Sequence, residues 1–393
     1  MNIINTFILS HLHSTRYVYP TRFPTERSYH TVPSDRSPRE SAHARACGEF
    51  DDDWCLGAVR HGRTRARPLQ MLPSAYAAAR AAAPAHTKKA GKVVVMTGAT
   101  GEIGGAIAQG MQTANLIAPT VGTLVLLVRN AFRGEKIAAP LRGKTMHVDV
   151  VVVDLSKPAA VAQCAQALCK ALPQIDVLIC GAAEVTPTRQ EMEGVELQFS
   201  TSVLSAFILM IGLLPSMTRL PKPARVVLIG DAQLAGGLDV RRDLHSTFVG
   251  ASGDDAASYD AVAVYAKTKQ ALFMLGKEAA KAGRAPSDAA VIVCSCHPGN
   301  VGSNLSAALG PAAGTKTDGV AAAAKTPLFL ALGPAPESGT YWNAKKQHPC
   351  THAADAAERS ALWDACTELT RSALESTSGT STASSSSATE ANG

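Results

Sequence analysis

A doubly wound, parallel α/β sheet is the fold class this sequence predicts, on three observations. Six short apolar runs alternate with helix-like stretches between Lys92 and Cys296; the runs are apolar throughout rather than at every second residue; and the first opens into a glycine-rich turn. Uninterrupted apolar strands belong to a sheet covered on both faces. Alternation of strand and helix gives right-handed crossovers, hence parallel neighbours with helices on either side. In such a sheet a ligand lies beyond the carboxyl ends of the strands, where the strand order reverses. The residues just after each run are therefore the ones that can form a site.

The first run, Val93 to Met96, leads into Thr97-Gly98-Ala99-Thr100-Gly101-Glu102-Ile103-Gly104, which reads as strand end, tight turn and helix start. Glycines there let the backbone approach a pyrophosphate, and the first helical N–H groups supply positive potential. Gly98, Thr100, Gly101, Ile103 and Gly104 are thus expected to cradle a dinucleotide. The second run, Thr123 to Val128, ends at Arg129-Asn130. An acidic residue there would accept from a ribose 2′-OH, whereas Arg129 pairs with a 2′-phosphate, so NADP(H) is the expected cofactor and NAD(H) the second choice. The third, Val148 to Val153, sets Asp154 and Leu155 at the adenine edge. After the fourth, Val177 to Cys180, Gly181 and Ala182 are small enough for a cofactor backbone to lie against them. The fifth, Val226 to Ile229, ends at Gly230-Asp231. The sixth, Ala290 to Cys294, leads to the turn His297-Pro298-Gly299-Asn300-Val301-Gly302-Ser303, expected to bring Pro298, Gly299, Val301 and the Ser303 hydroxyl to a nicotinamide carboxamide.

Between the fifth and sixth runs stands Tyr265-Ala266-Lys267-Thr268-Lys269. Tyr265 and Lys269 are four apart and share one helix face, where the ammonium would lower the phenol's pKa from its reference of about 10 and make it a usable acid or base. The pair alone is ordinarily a solvated helix face, and the glycine turn alone is weak; their order within one α/β chain is what carries the reading. Cys294-Ser295-Cys296-His297 is not expected to bind metal, because no second Cys/His cluster at zinc spacing accompanies it.

Composition bounds the remainder. Of 393 residues, Met1 to Lys92 carries 14 Lys/Arg against 7 Asp/Glu, a surplus of +7 that exceeds the +6 of the whole chain and leaves the body at −1. A near-neutral body argues against a nucleic-acid groove. One domain is expected over residues 91–375, between an extension, 1–90, read as disordered, mis-started or targeting, and a Ser/Thr-rich disordered tail, 376–393. Met71-Leu72-Pro73-Ser74-Ala75-Tyr76 continues without an acidic residue until Glu102. That suggests a mitochondrial leader if translation starts at Met71, against an Ala-rich linker and a cytoplasmic protein otherwise. The longest apolar stretch, Val203 to Leu214, is too short to span a bilayer, and nine cysteines without paired spacing suit a reducing compartment.

Through the glycine turn, Leu127-Val128-Arg129-Asn130, Asp154-Leu155, Asp176-Val177-Leu178-Ile179, Gly194-Val195-Glu196-Leu197-Gln198-Phe199, the Tyr265/Lys269 pair, His297-Pro298-Gly299 and Ser338-Gly339-Thr340-Tyr341-Trp342, the chain resembles the short-chain dehydrogenase/reductase family, in its retinol-dehydrogenase-like branch, from about Lys92 to Ala373. The resemblance implies a Rossmann fold and NAD(P)(H)-dependent interconversion of an alcohol and a carbonyl, with Tyr265 as acid/base and Lys269 lowering its pKa and holding the nicotinamide ribose. It also implies a serine after the fifth strand, where Asp231 stands, and a helix asparagine where Ser202 stands. Both become assisting residues in an enzyme of reduced activity; a nucleotide-binding regulatory or scaffold protein of the same fold, with little or no turnover, is the alternative. The Gly98-x-x-Gly101-x-x-Gly104 spacing is nearer to an epimerase-like turn. A small, apolar carbonyl or alcohol is the expected substrate, with Gln233 to Asp260 and Gly302 to Gly319 as lid segments. The resemblance also suggests a homo-oligomer paired through Val195 to Leu214 and Val264 to Leu275.

Overall fold

The computed structural model describes residues 70–82, 91–118, 120–143, 145–230, 237–250, 259–281, 291–302, 304–308 and 318–378. In chain order the elements are β1 (Gln70–Met71), α1 (Pro73–Ala82), β2 (Lys92–Thr97), α2 (Glu102–Ile117), β3 (Val121–Val128), α3 (Ala131–Leu141), β4 (His147–Val152), α4 (Pro158–Ala171) and β5 (Val177–Cys180). A small ribbon, β6 (Glu191–Met192) and β7 (Val195–Glu196), then precedes a helical stretch ending in α5 (Ser205–Gly212). Then come β8 (Ala224–Ile229), α6 (Ala261–Ala279), β9 (Val291–His297), α7 (Lys325–Leu332), β10 (Thr340–Asn343), β11 (Lys346–His348) and α8 (Ala356–Ser378).

The main sheet runs β1-β4-β3-β2-β5-β8-β9-β10-β11 and is parallel except for the last pair, β10 with β11. All six apolar runs form its central strands. Their side chains alternate between two cores, as a sheet covered on both faces requires. Val95, Val125, Leu127, Val151, Leu178 and Val226 face one core, with α1, α4, α5, α6 and α8. Val94, Met96, Leu124, Leu126, Val150 and Ile179 face the other, with α2, α3 and α7. The order reverses between β2 and β5, which places the crevice beside the glycine turn.

Both expected domain boundaries shift. Residues 70–82, read as part of a disordered or targeting extension, belong to the fold: β1 adds to the sheet edge beside β4, and α1 packs on α4. Tyr76 is fully buried, and its hydroxyl donates to Asp149 Oδ2 at 2.9 Å. A lone aromatic in an Ala-rich stretch gives no periodic signal, which is why the segment reads as a linker. At the other end α8 continues past Ala373 to Ser378, three residues into the expected tail. The remainder of both extensions lies outside the described residues. Among the described residues no helix is long and apolar enough to cross a membrane.

The faces expected to pair with a second copy are covered within the chain. α8 packs across α4, α5 and α6. Its Trp363 meets Phe207 of α5 edge-on at 5.0 Å between ring centroids, and its Arg359 Nε donates to Glu278 Oε2 of α6 at 3.3 Å.

Candidate active site

The glycine turn is built by contact rather than by flexibility alone. Gly98 has φ +76°, and a Cβ there would sit 2.5 Å from the backbone of Gly181, so the turns after β2 and β5 touch. At Gly104 a Cβ would fall 2.1 Å from the Gly98 carbonyl oxygen, so α2 can start hard against the turn only with glycine at that place. Thr97 locks the arrangement: its Oγ1 accepts from the amides of Gly181 at 3.1 Å and Ala182 at 3.2 Å. Thr97 escaped the sequence reading because its partners lie some 84 residues away.

These residues fit a dinucleotide. Gly101, the N-cap of α2, brings no side chain over the N-terminus of that helix, the end whose dipole favours an anion. At Gly101 a Cβ would meet only the Gly98 oxygen at 3.5 Å, so the turn is open on that side. Thr100 is exposed beside it, and Ile103 packs against the core behind it. Across the crevice Gly181 and Ala182 are half-buried.

Two expected cofactor contacts are already engaged. Asp154 Oδ1 accepts from Ser156 N at 3.1 Å and Ser156 Oγ at 2.7 Å, shaping the turn after β4, and Leu155 beside it is buried. Arg129, exposed at the end of β3, pairs with Glu184, which the sequence reading did not single out.

α6 begins where Asp260 Oδ1 accepts from the amides of Val262 at 2.9 Å and Ala263 at 3.1 Å. That cap fixes the helix phase, and both Tyr265 and Lys269 are buried. Lys269 Nζ lies 5.5 Å from the Tyr265 ring centroid and donates to the Ile229 carbonyl oxygen at 3.2 Å, which ties α6 to the end of β8. Tyr265 and Ala266 form an apolar cluster with Ala183, Val185, Val262 and Leu305. Ser202 is buried on a π-helical turn, Ser200–Leu204, which packs against α6. Such a turn widens a helix locally and recurs at functional sites. It was not legible in the sequence.

After β9, His297 Nδ1 accepts from the Gly299 amide at 2.9 Å, and the Asn300 amide donates to Asp318 Oδ2 at 2.9 Å. Gly299 has φ +98°, and a Cβ there would fall 2.6 Å from Asp318 Oδ2. These bonds hold Pro298, Gly299 and Val301 in one turn. The thiol of Cys294 contacts Thr340 Oγ1 at 3.4 Å, and burial pushes its pKa up. Asp231 and Ser303 lie outside the described residues, as do residues 233–236 and 251–258 of one expected lid segment and 309–317 of the other.

Residues 92–233 match the model of the short chain dehydrogenase family. Dehydrogenase/reductase SDR family member 12 of Bos taurus is 30% identical over 281 residues, spanning 67% of this chain and 79% of that protein. The chain belongs to the short-chain dehydrogenase/reductase family. Within the family it is retinol-dehydrogenase-like: retinol dehydrogenase 13 of Homo sapiens is 28% identical over 301 residues, covering 72% of this chain and 85% of that protein. A crystal structure of NADPH bound carbonyl reductase from chicken fatty liver matches with TM-score 0.47 at 17% identity, over 65% of this chain and 97% of that one. As a member of the short-chain dehydrogenase/reductase family the chain is an oxidoreductase that uses a nicotinamide cofactor.

Proposed function

We propose that this short-chain dehydrogenase/reductase interconverts a carbonyl and an alcohol with NADP(H), slowly, and on an apolar substrate. The observation that carries the reading is the placement of Tyr265 and Lys269 on one buried helix face, bonded to the end of β8 and set in a sheet whose switch point holds the glycine turn. When bound, the cofactor supplies or accepts hydride at its nicotinamide. Tyr265 gives a proton to the nascent alkoxide, or takes one from the alcohol, and the charge on Lys269 favours the ionised phenol. Pro298, Gly299 and Val301 stand in the turn proposed to receive the carboxamide, with the Ser303 hydroxyl as its proposed partner. Arg129 supports NADP(H) over NAD(H). The apolar cluster around Tyr265 supports an apolar substrate, as does the name of the human relative, retinol dehydrogenase 13.

Slow turnover follows from Asp231 at the family's serine position and Ser202 at its asparagine position. Loss of one oxyanion donor costs about 10²- to 10³-fold. A second reading, a cofactor-binding regulatory protein with negligible turnover, is favoured by the packing of Phe273 against Gly230, the residue just before Asp231.

Titrating the protein with NADPH and NADH, then supplying a panel of aldehydes and ketones, separates these readings. Tight NADPH binding with turnover lost in Tyr265→Phe supports the reductase. Binding without turnover, unchanged in Asp231→Ser and Ser202→Asn, supports the regulatory reading.

A further inference from the structure

Arg129 and Glu184 are 55 residues apart, yet Arg129 Nη1 donates to both carboxylate oxygens of Glu184, at 3.2 and 3.3 Å. Arg129 follows the last residue of β3, and Glu184 stands four residues beyond Cys180, the end of β5. β3 and β5 are the two strands that flank β2, whose carboxyl end carries the glycine turn. The ion pair therefore runs from one bank of the cofactor crevice to the other, over the strand that holds the pyrophosphate cradle.

The geometry also leaves the pair poised to change partners. A single nitrogen of Arg129 serves both oxygens, so this is not the two-nitrogen fork that makes Arg–carboxylate pairing strong. The Arg129 side chain is 66% exposed and that of Glu184 only 24%. Water competes for the guanidinium, and an exposed pair of this kind opens readily. The less exposed Glu184 is the fixed end, and Arg129 is the end that can swing.

We propose that Glu184 sets cofactor selectivity: it holds Arg129 across the crevice and competes with a 2′-phosphate for it. The proposal rests on the reading of Arg129 as the 2′-phosphate partner. With both side chains present, the protein offers a dianionic phosphate no net charge from this pair, because one carboxylate cancels one guanidinium. A cofactor with a free 2′-hydroxyl pays no such penalty, and a carboxylate near the ribose can accept from it. Arg129 thus draws selectivity toward NADP(H), while Glu184 draws it back toward NAD(H). Replacing Glu184 with its neutral isostere removes one unit charge from the neighbourhood of the phosphate. The expected gain is about three- to tenfold in affinity, the scale of one solvent-screened charge acting on a dianion at contact range.

The test is calorimetric titration of the full chain with 2′,5′-ADP, ADP, NADPH and NADH at low ionic strength, where screening is weakest. Wild type, Glu184→Gln, Arg129→Gln and the double variant are compared. Glu184→Gln should tighten 2′,5′-ADP and NADPH about three- to tenfold and leave ADP and NADH unchanged or weaker. In the Arg129→Gln background the same substitution should gain less, since the competition has been removed. If Arg129→Gln weakens NADPH but Glu184→Gln changes nothing, the selectivity role of Glu184 is overturned and the reading of Arg129 stands. If Arg129→Gln leaves NADPH affinity intact, the reading of Arg129 fails and takes the proposal with it. Equal tightening of ADP and 2′,5′-ADP by Glu184→Gln also overturns it, because the pair would then act as a plain obstruction.

Discussion

Phe273 occupies the space that a side chain at position 230 would need. A Cβ on Gly230 would lie 2.4 Å from Phe273 Cε1 and 3.2 Å from the Lys269 carbonyl oxygen. In the sequence Gly230 is only the residue before Asp231; in the fold it is the small partner of a large ring. Gly230→Ser should therefore destabilise the protein by about 1–3 kcal/mol, the usual cost of overpacking. Phe273→Ala in the same chain should recover part of that loss, measured as coupling in urea unfolding. Additive losses would show that the ring and the glycine do not share one space. A second residue-scale prediction concerns Glu196. It is fully buried, accepts from Tyr259 Oη at 2.9 Å and from the Phe199 amide at 2.8 Å, and burial raises its pKa above 4.5. Burial also pushes Tyr259 up to about 12, so that phenol stays protonated as the donor. A raised carboxyl pKa means that the fold favours the protonated form. The stability it contributes is complete below the unfolded value and is lost as pH rises through the folded one. Wild type should thus lose stability relative to Glu196→Gln as pH climbs from about 4.5 toward neutrality. Parallel unfolding midpoints across that range would contradict this. At this scale Tyr265 and Lys269 were legible because helix geometry relates residues four apart. Thr97 and Glu184 were not, because their partners arrive only through the sheet.

At the scale of elements, the six central strands were legible because burial on both faces demands uninterrupted apolar runs. Edge elements escape that rule. β1 has two residues and β11 three, and the latter is exposed throughout. The π-helical turn Ser200–Leu204 is invisible in sequence for another reason: every residue in it is buried, so no periodicity marks its wider pitch. The β1–α1 segment shows what one side chain can do for an element that short. Tyr76 inserts between α1 and the sheet edge, and its hydroxyl reaches Asp149, whose other oxygen lies 2.6 Å from His147 Nε2. Tyr76→Ala should cost about 3–5 kcal/mol, as truncations of buried aromatics do. Tyr76→Phe keeps the ring and loses only a bond to a charged group, at about 1.5–3 kcal/mol. Urea denaturation of both variants checks this. Full stability in Tyr76→Ala would mean that residues 70–82 do not contribute to the folded unit.

At the scale of the whole molecule, the decisive element is the last one. The sheet, its crossovers and the crevice position follow from the strand pattern, but what covers the outer faces of α5 and α6 does not. α5 is apolar nearly all round and α6 is buried along most of its length, and a sequence offers no way to tell a face awaiting a second copy from one awaiting the chain's own end. α8 supplies the answer with Trp363 against Phe207, and with Arg359, whose Nη1 donates to the carbonyls of Ala353 at 2.6 Å and Ala354 at 2.8 Å while its Nε meets Glu278. Glu278 is fully buried on α6 and also pairs with Lys281 Nζ at 2.8 Å, so the helix is docked by a satisfied charge cluster as well as by apolar contact. An apolar face can be buried only once. We therefore expect the full chain to be monomeric by light scattering across a wide concentration range. Trp363→Ala should cost about 3–5 kcal/mol of stability, the range for deleting a buried aromatic. By loosening α8 it should also introduce concentration-dependent self-association, because exposed apolar helix faces seek a partner. A wild-type dimer that Trp363→Ala leaves intact would show that self-association uses another surface and that α8 does not stand in for a second copy.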